Sequence, residues 1–146
     1  MEEQGSFERI GDSERRMYGP RGVLVCGVAV REQGVIAGVI EKSNRELPVI
    51  FVSDQMAESS LKELLAQEDG TGKGEASGLR RAIIMSGFLE KELQWFMSAY
   101  RRLGLERPLW ATLTPTSEGW KVSRLLEELA AEDAEMARMR EGGADG

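Results

Sequence analysis

Four times along the chain, a short apolar run is followed by a longer stretch of helical periodicity, and this alternation constrains the fold most. The apolar runs over residues 22–28, 48–52, 80–87 and 108–114 are predicted as buried strands. Apolar residues three and four positions apart then predict one amphipathic helix after each strand. Such alternation favours parallel strands joined by right-handed crossovers. We therefore predict an α/β fold with a four-stranded parallel sheet, in the order 2-1-3-4, and helices on both faces.

The two ends of the chain and one internal segment show neither pattern. Residues 1–20 are polar and charged, and they are predicted to form a disordered or loosely ordered tail, as are residues 141–146. Residues 67–79 are rich in glycine and charge and are predicted to be a flexible loop. The rest, residues 21–140, has the size of a single domain.

The composition excludes several kinds of chemistry. The chain has no histidine and one cysteine, Cys26. Catalytic arrangements that need histidine are therefore excluded, as are an internal disulfide and zinc sites built with histidine or from thiolates alone. The first strand is not followed by a dinucleotide-binding glycine pattern, and Gly70–Gly74 lacks the spacing of a phosphate-binding loop. We expect no catalytic residue, no metal and no cofactor, and we interpret Cys26 as a small buried hydrophobe rather than a reactive thiol.

Charge and hydropathy bear on location and partners. The formal net charge is −6 and no stretch is strongly basic, so nucleic acid is not an expected partner. The longest apolar runs are only a few residues, whereas a membrane span needs about 20. The N-terminus also lacks the apolar core of a signal peptide. We expect a cytoplasmic protein that binds no membrane.

A candidate ligand site follows from the predicted fold. Ligands bind open parallel sheets beyond the carboxyl ends of the strands, near the point where the strand order reverses, here between the first and third strands. The candidate ligand-binding residues at this rim are Gly27, Ser86, Gly87, Thr114, Thr116 and Trp120. Glycine admits a close backbone approach, and helix N-termini offer free N–H groups to an anion. The same residue types also serve simply to turn a chain from strand into helix.

Two segments resemble a known family. Ile83–Phe88 and the string Leu-Thr-Pro-Thr at 113–116, followed by Trp120, resemble an uncharacterised bacterial family, the domain-of-unknown-function family numbered 3783. The resemblance is strongest over residues 81–133. It implies a compact α/β domain without an assigned activity.

The missing catalytic and nucleotide-binding patterns favour a non-catalytic binding or regulatory module that acts through protein–protein contact. Its partner would be an unidentified protein or a second copy of the chain, and Trp95, which lies off the apolar stripe of its helix, would suit such a contact. The alternative is a domain that binds a small anionic ligand or nucleotide at the rim of the sheet.

Overall fold

The architecture is seen in a computed structural model that describes residues 15–43 and 46–145. Within these residues the strands are β1 (Gly22–Cys26), β2 (Val49–Val52), β3 (Ala82–Ser86) and β4 (Leu109–Thr112). The helices are α1 (Val30–Ser43), α2 (Leu61–Leu65), α3 (Glu90–Arg102) and α4 (Val122–Asp145), and a short 3-10 turn, Asp54–Met56, precedes α2. The α/β class and the four strand–helix pairs are therefore confirmed.

The two ends of the chain are described only in part. Of the predicted tails, residues 1–14 and residue 146 lie outside the described residues. The Met17 N–H donates to the Phe88 carbonyl at 2.8 Å, so the chain runs beside the end of β3 before it enters β1. None of the described helices is long and apolar enough to cross a membrane.

Apolar side chains fill both faces of the sheet. Every residue of β1 and β3 is buried, as expected for strands covered on both sides. Alternate strand residues point to opposite faces. Val23 and Val25 therefore pack in the cluster that contains α1 and α3, and Leu24 and Cys26 pack in the cluster that contains α2 and α4. Helices on both faces are thus confirmed.

The strand order is β2-β1-β3-β4, as predicted, but the prediction of an all-parallel sheet is wrong. The β1–β2 and β3–β4 pairs are parallel, whereas β1 and β3 are antiparallel, with Gly22 opposite Ser86 and Cys26 opposite Ala82. The carboxyl ends of β1 and β3 therefore lie at opposite ends of the sheet. The predicted binding crevice between these two strand ends does not form.

The antiparallel contact follows from the path of residues 66–81. Helix α2 returns the chain to the end of the sheet where β1 begins, because Leu65 lies beside Gly22. The glycine-rich segment then runs along β2 to the other end of the sheet, where the Ser77 hydroxyl accepts a hydrogen bond from the Gly27 N–H at 3.3 Å. β3 therefore starts where β1 ends.

The antiparallel contact also relates two similar halves by an approximate two-fold axis. The first half (residues 16–43 and 46–66) contains β1, α1, β2 and α2, and the second half (residues 76–145) contains β3, α3, β4 and α4. Leu24 lies opposite Ile84 at the centre of the contact, and the pairing extends by two residues on either side. Each half is thus a βαβα unit, and the first strands of the two units meet.

Reciprocal backbone hydrogen bonds tie the entrances of α2 and α4 together. The Leu61 N–H donates to the Trp120 carbonyl and the Val122 N–H donates to the Ser59 carbonyl, both at 3.0 Å. Each half thereby satisfies a donor at the N-terminus of the other half's helix, where N–H groups lack intrahelical partners.

Reciprocal ion pairs join the halves on the other face. Arg21 of the first half binds Glu92 of the second through two contacts of 2.7 and 2.8 Å. Arg81 of the second half binds Glu32 of the first at 2.8 Å. The halves are therefore connected by matching polar contacts as well as by the sheet.

Candidate functional site

The mixed sheet separates the residues predicted as one ligand-binding rim. Ser86 ends β3 and Gly87 follows it, at the end of the sheet where β1 begins, and Thr114 lies at the same end because β4 is parallel to β3. Thr116 and Trp120 follow in the adjoining turn. Gly27 follows β1 at the opposite end, so the structure does not bring it together with the other five residues.

The Thr-Pro-Thr turn uses its polar groups internally. The Ser117 N–H donates to the Thr114 hydroxyl at 3.0 Å, and the Thr114 N–H donates to the Ser117 hydroxyl at 3.2 Å. Thr116 is exposed, and the Trp120 ring is covered by the Arg124 guanidinium at 4.0 Å. These contacts stabilise the entrance of α4, as the reciprocal bonds of a capping turn do.

Ser86 and Gly87 lie where the chain crosses itself closely. Ser86 is 1% exposed, and among the described residues its buried hydroxyl has no hydrogen-bond partner. Gly87 has a φ of +67°, and a Cβ there would lie 2.6 Å from the Gly19 carbonyl oxygen. Gly27 shows the equivalent arrangement, with a φ of +72° and the Leu79 carbonyl oxygen 2.2 Å from a Cβ position. Because glycine has no Cβ, each of these positions allows a close backbone approach. The approaching segment is the one that leads into the first strand of the other half.

Cys26 is fully buried at the end of β1. Burial raises the pKa of its thiol to about 12, so the thiol stays protonated near neutral pH. A protonated, inaccessible thiol is not a nucleophile. The described residues also contain no group of three or more histidine, cysteine or acidic side chains that could hold a metal ion.

The two halves differ most at the outer strands. The outer edge of β2 is covered, because the Gly70 N–H donates to the Val49 carbonyl and the Phe51 N–H donates to the Thr71 carbonyl, both at 2.8 Å. The Asp69 carboxylate also accepts from the Val49 N–H at 2.8 Å. The segment Asp69–Thr71 therefore satisfies the hydrogen-bonding groups of this edge.

The outer edge of β4 is open. The N–H groups of Leu109 and Leu113 donate inward to β3, at 3.0 Å each. Because backbone groups alternate in direction along a strand, the N–H and carbonyl groups of Trp110 and Thr112 point outward. No other part of the described chain hydrogen-bonds to them. All four residues of β4 are only partly buried. We call this feature the open β4 edge.

A groove flanks the open β4 edge on each face of the sheet. On the face of α3, a groove of about 230 Å³ is lined by Tyr100, Arg101, Leu105, Arg107, Pro108 and Trp110. On the face of α4, a groove of about 190 Å³ is lined by Arg107, Leu109, Trp110, Leu129, Glu132, Asp133 and Met136. We call them the α3 groove and the α4 groove. Met136 is 57% exposed, which leaves the wall of the α4 groove uncovered.

Trp110 lines both grooves, and its ring packs against two other aromatic side chains. Its ring meets Tyr100 edge-on at a centroid distance of 5.5 Å and Phe96 edge-on at 5.7 Å. Edge-on aromatic pairs at such distances are favourable. The grooves are therefore preformed beside the open strand.

The fold and the open β4 edge define an α/β domain of two related βαβα halves with one uncovered outer strand. Residues 81–136, which lie in the second half, match the model of a domain of unknown function, DUF3783, and the resemblance predicted from the sequence is confirmed. Comparison of the chain with curated proteins and with solved structures gave no match. The matched segment includes β4, and hence the open edge and every lining residue of both grooves.

Proposed function

We propose that this protein is a non-catalytic, cytoplasmic binding module that accepts an extended segment of a partner protein along the open β4 edge. One observation carries the proposal: the outward N–H and carbonyl groups of Trp110 and Thr112 lie between two preformed grooves. An added strand gains affinity from main-chain hydrogen bonds and specificity from pockets for alternate side chains. The location is proposed because the single buried thiol of Cys26 suits a reducing compartment.

The grooves define the chemistry of the partner segment. Neighbouring residues of an added strand point to opposite faces, so one apolar side chain would enter the α3 groove and the next would enter the α4 groove. Arg101 and Arg107 at the α3 groove favour an acidic residue flanking the first of these. The partner is therefore an extended segment with two neighbouring apolar residues and an adjacent Asp or Glu.

The covered β2 edge supports this mode of binding. There a segment of three residues, Asp69–Thr71, lies along an equivalent strand and satisfies its outward groups. The second half has no counterpart of this segment within the described residues. A short extended peptide supplied by another protein would take its place.

The test is a proline substitution that removes an outward donor. Proline is tolerated at an edge where the N–H faces solvent, so Thr112→Pro should fold but lose strand addition, whereas Thr112→Ala keeps the N–H and serves as the matched control. Random dodecapeptides displayed on phage would be selected on the wild-type protein, and the affinities of enriched peptides measured by fluorescence anisotropy. We expect dissociation constants on the order of 10 μM, weakened about tenfold or more by Thr112→Pro and little by Thr112→Ala.

Two results would contradict the proposal. If the enriched peptides bind the Thr112→Pro variant as tightly as the wild-type protein, the binding site lies elsewhere. If the library yields no binder, an extended peptide is not the ligand of the open β4 edge. A wild-type dimer that Thr112→Pro converts to a monomer would replace the partner protein with a second copy. Matching circular dichroism and urea midpoints of the two variants would establish that both are folded.

A further inference from the structure

A polar cavity of about 580 Å³ lies where β1 ends and where β3 and β4 begin. It is separate from the Thr-Pro-Thr turn, which lies at the other end of the sheet. Three arginines line it, Arg80, Arg81 and Arg107, together with Ser77 and the backbone of Gly27. Its volume is in the range of small-molecule sites.

We call this feature the arginine cavity. Arg81 lines it, and its side chain is held in place by contacts within the protein. Its guanidinium contacts Glu32 at 2.8 Å and donates to the Tyr100 hydroxyl at 3.2 Å, and its side chain is only 11% exposed. Among the described residues its buried Nε has no acceptor. Its two terminal nitrogens are already bound within the protein, so Arg81 contributes positive charge to the cavity rather than a hydrogen bond to a ligand.

The other two arginines, Arg80 and Arg107, place their charged groups at the mouth of the cavity. Arg80 is exposed and has no ion-pair partner in the described part of the chain. The side chain of Arg107 is 73% exposed and reaches Asp133 only at 3.5 Å. Planar guanidinium groups bind carboxylate and phosphate oxygens through two parallel hydrogen bonds, so both are available to an oxyanion.

Ser77 adds an oriented hydroxyl. Its oxygen accepts hydrogen bonds from the Gly27 and Leu79 N–H groups, each at 3.3 Å. A hydroxyl has one proton to donate, and with both backbone donors on its oxygen that proton is left for a ligand.

Arg80 is not required by the shared architecture. Arg80 passes close to Gly27, and the equivalent close approach to Gly87 is made by Pro20. The first half thus builds the same crossing without a cation. The side chain of Arg80 is therefore not needed for the crossing itself.

We propose that the arginine cavity binds a small molecule that carries a multiply charged oxyanion, either a phosphoryl or a polycarboxylate group. Arg80 and Arg107 bind the anion through their guanidinium groups, and the Ser77 hydroxyl donates a hydrogen bond to it. Arg81 adds positive charge at the wall of the cavity. Two carboxylates also line the cavity: Glu106, whose side chain is 77% exposed and can swing away, and Asp133, which competes with the anion for Arg107.

The test uses pyrophosphate and citrate as probes, with sodium chloride at matched ionic strength as the reference. At saturating probe we expect the melting temperature of the wild-type protein to rise by about 5 °C above the chloride reference. Titration calorimetry should show binding weakened about tenfold by Arg80→Gln or Arg107→Gln. Asp133→Asn removes the competing carboxylate and should tighten binding several-fold.

Arg16→Gln is the control for charge, because Arg16 forms a backbone β-bridge with Leu89 at the other end of the sheet. This variant should bind pyrophosphate and citrate with the affinity of the wild-type protein. Stronger binding of pyrophosphate assigns a phosphoryl ligand, and stronger binding of citrate assigns a carboxylate ligand. The proposal is overturned if neither probe exceeds chloride, or if Arg80→Gln and Arg16→Gln weaken binding equally. Because Thr112→Pro should leave anion binding unchanged, failure here is independent of failure at the open β4 edge.

Discussion

The first and second halves of the molecule share their architecture and their contacts with each other, but they differ on the outside. Both use a glycine for the chain crossing and an arginine–glutamate pair across the axis. The outer strand of the first half is covered by its own chain, whereas that of the second half is open. Helix α2 has five residues and α4 has 24. What is shared therefore holds the sheet together, and what differs marks the surfaces available for binding.

The largest effect is expected from the two crossing glycines. Gly27→Ala and Gly87→Ala each place a Cβ against backbone atoms at a positive φ, so each should lower the free energy of unfolding by about 3–5 kcal/mol. Equal losses would support the equivalence of the halves. Gly34→Ala on α1 is the control: a Cβ there has open space, and alanine should stabilise the helix by about 0.5–1 kcal/mol. Urea denaturation measures all three, and a loss below about 1 kcal/mol at Gly87 would refute the crossing argument.

The two arginine–glutamate pairs should contribute unequally to the free energy of unfolding. Arg21 holds Glu92 through two contacts and Glu92 is 8% exposed, whereas Arg81 touches Glu32 once and keeps the Tyr100 hydroxyl as a second partner. We therefore expect Glu92→Gln to cost about 2–3 kcal/mol and Glu32→Gln about 1 kcal/mol. Thermal or urea unfolding would detect the difference. A larger loss for Glu32→Gln would contradict the ranking.

An effect of pH on stability should distinguish Cys26 from Ser86, which end β1 and β3 at equivalent positions. The pKa of the Cys26 thiol is raised to about 12 in the fold, against an ordinary value of 9.0. Above pH 9 the unfolded chain loses this proton while the folded chain keeps it, so stability falls as pH rises. The loss attributable to Cys26 is about 1.5 kcal/mol between pH 9 and pH 10.5.

Cys26→Ser is the comparison for this effect, because it gives both halves the same buried hydroxyl and removes the titration. The stability difference between wild type and Cys26→Ser should therefore shrink over that pH range, as measured by urea unfolding at each pH. A constant difference would show that the thiol does not titrate on unfolding in this range.

Periodicity was sufficient to predict the four strands and the helices behind them, because apolar spacing reports directly which residues are buried. The strand order was predicted from the α/β class instead. It did not predict the direction of β3. That direction depends on hydrogen bonds between residues 69–71 and the edge of β2, and a glycine-rich segment carries no apolar pattern that reveals them.

The candidate site was predicted less well for the same reason. The expected rim assumed that Gly27 and Ser86 lie at one end of the sheet, and the antiparallel contact places them at opposite ends. For Thr114 and Thr116 the residue types had left two interpretations open, a ligand-binding corner and a turn from strand into helix. The open β4 edge had only an indirect signal, which is that nothing like the segment at 67–79 follows the helix after the fourth strand.

Having one covered and one open edge limits how copies of this protein can assemble. A sheet with two free edges can add neighbours without end and grow into a fibre. Here the segment Asp69–Thr71 blocks one side. Edge-to-edge association therefore stops after a single addition at β4, so the chain keeps a surface for strand pairing without the risk of polymerisation along the sheet.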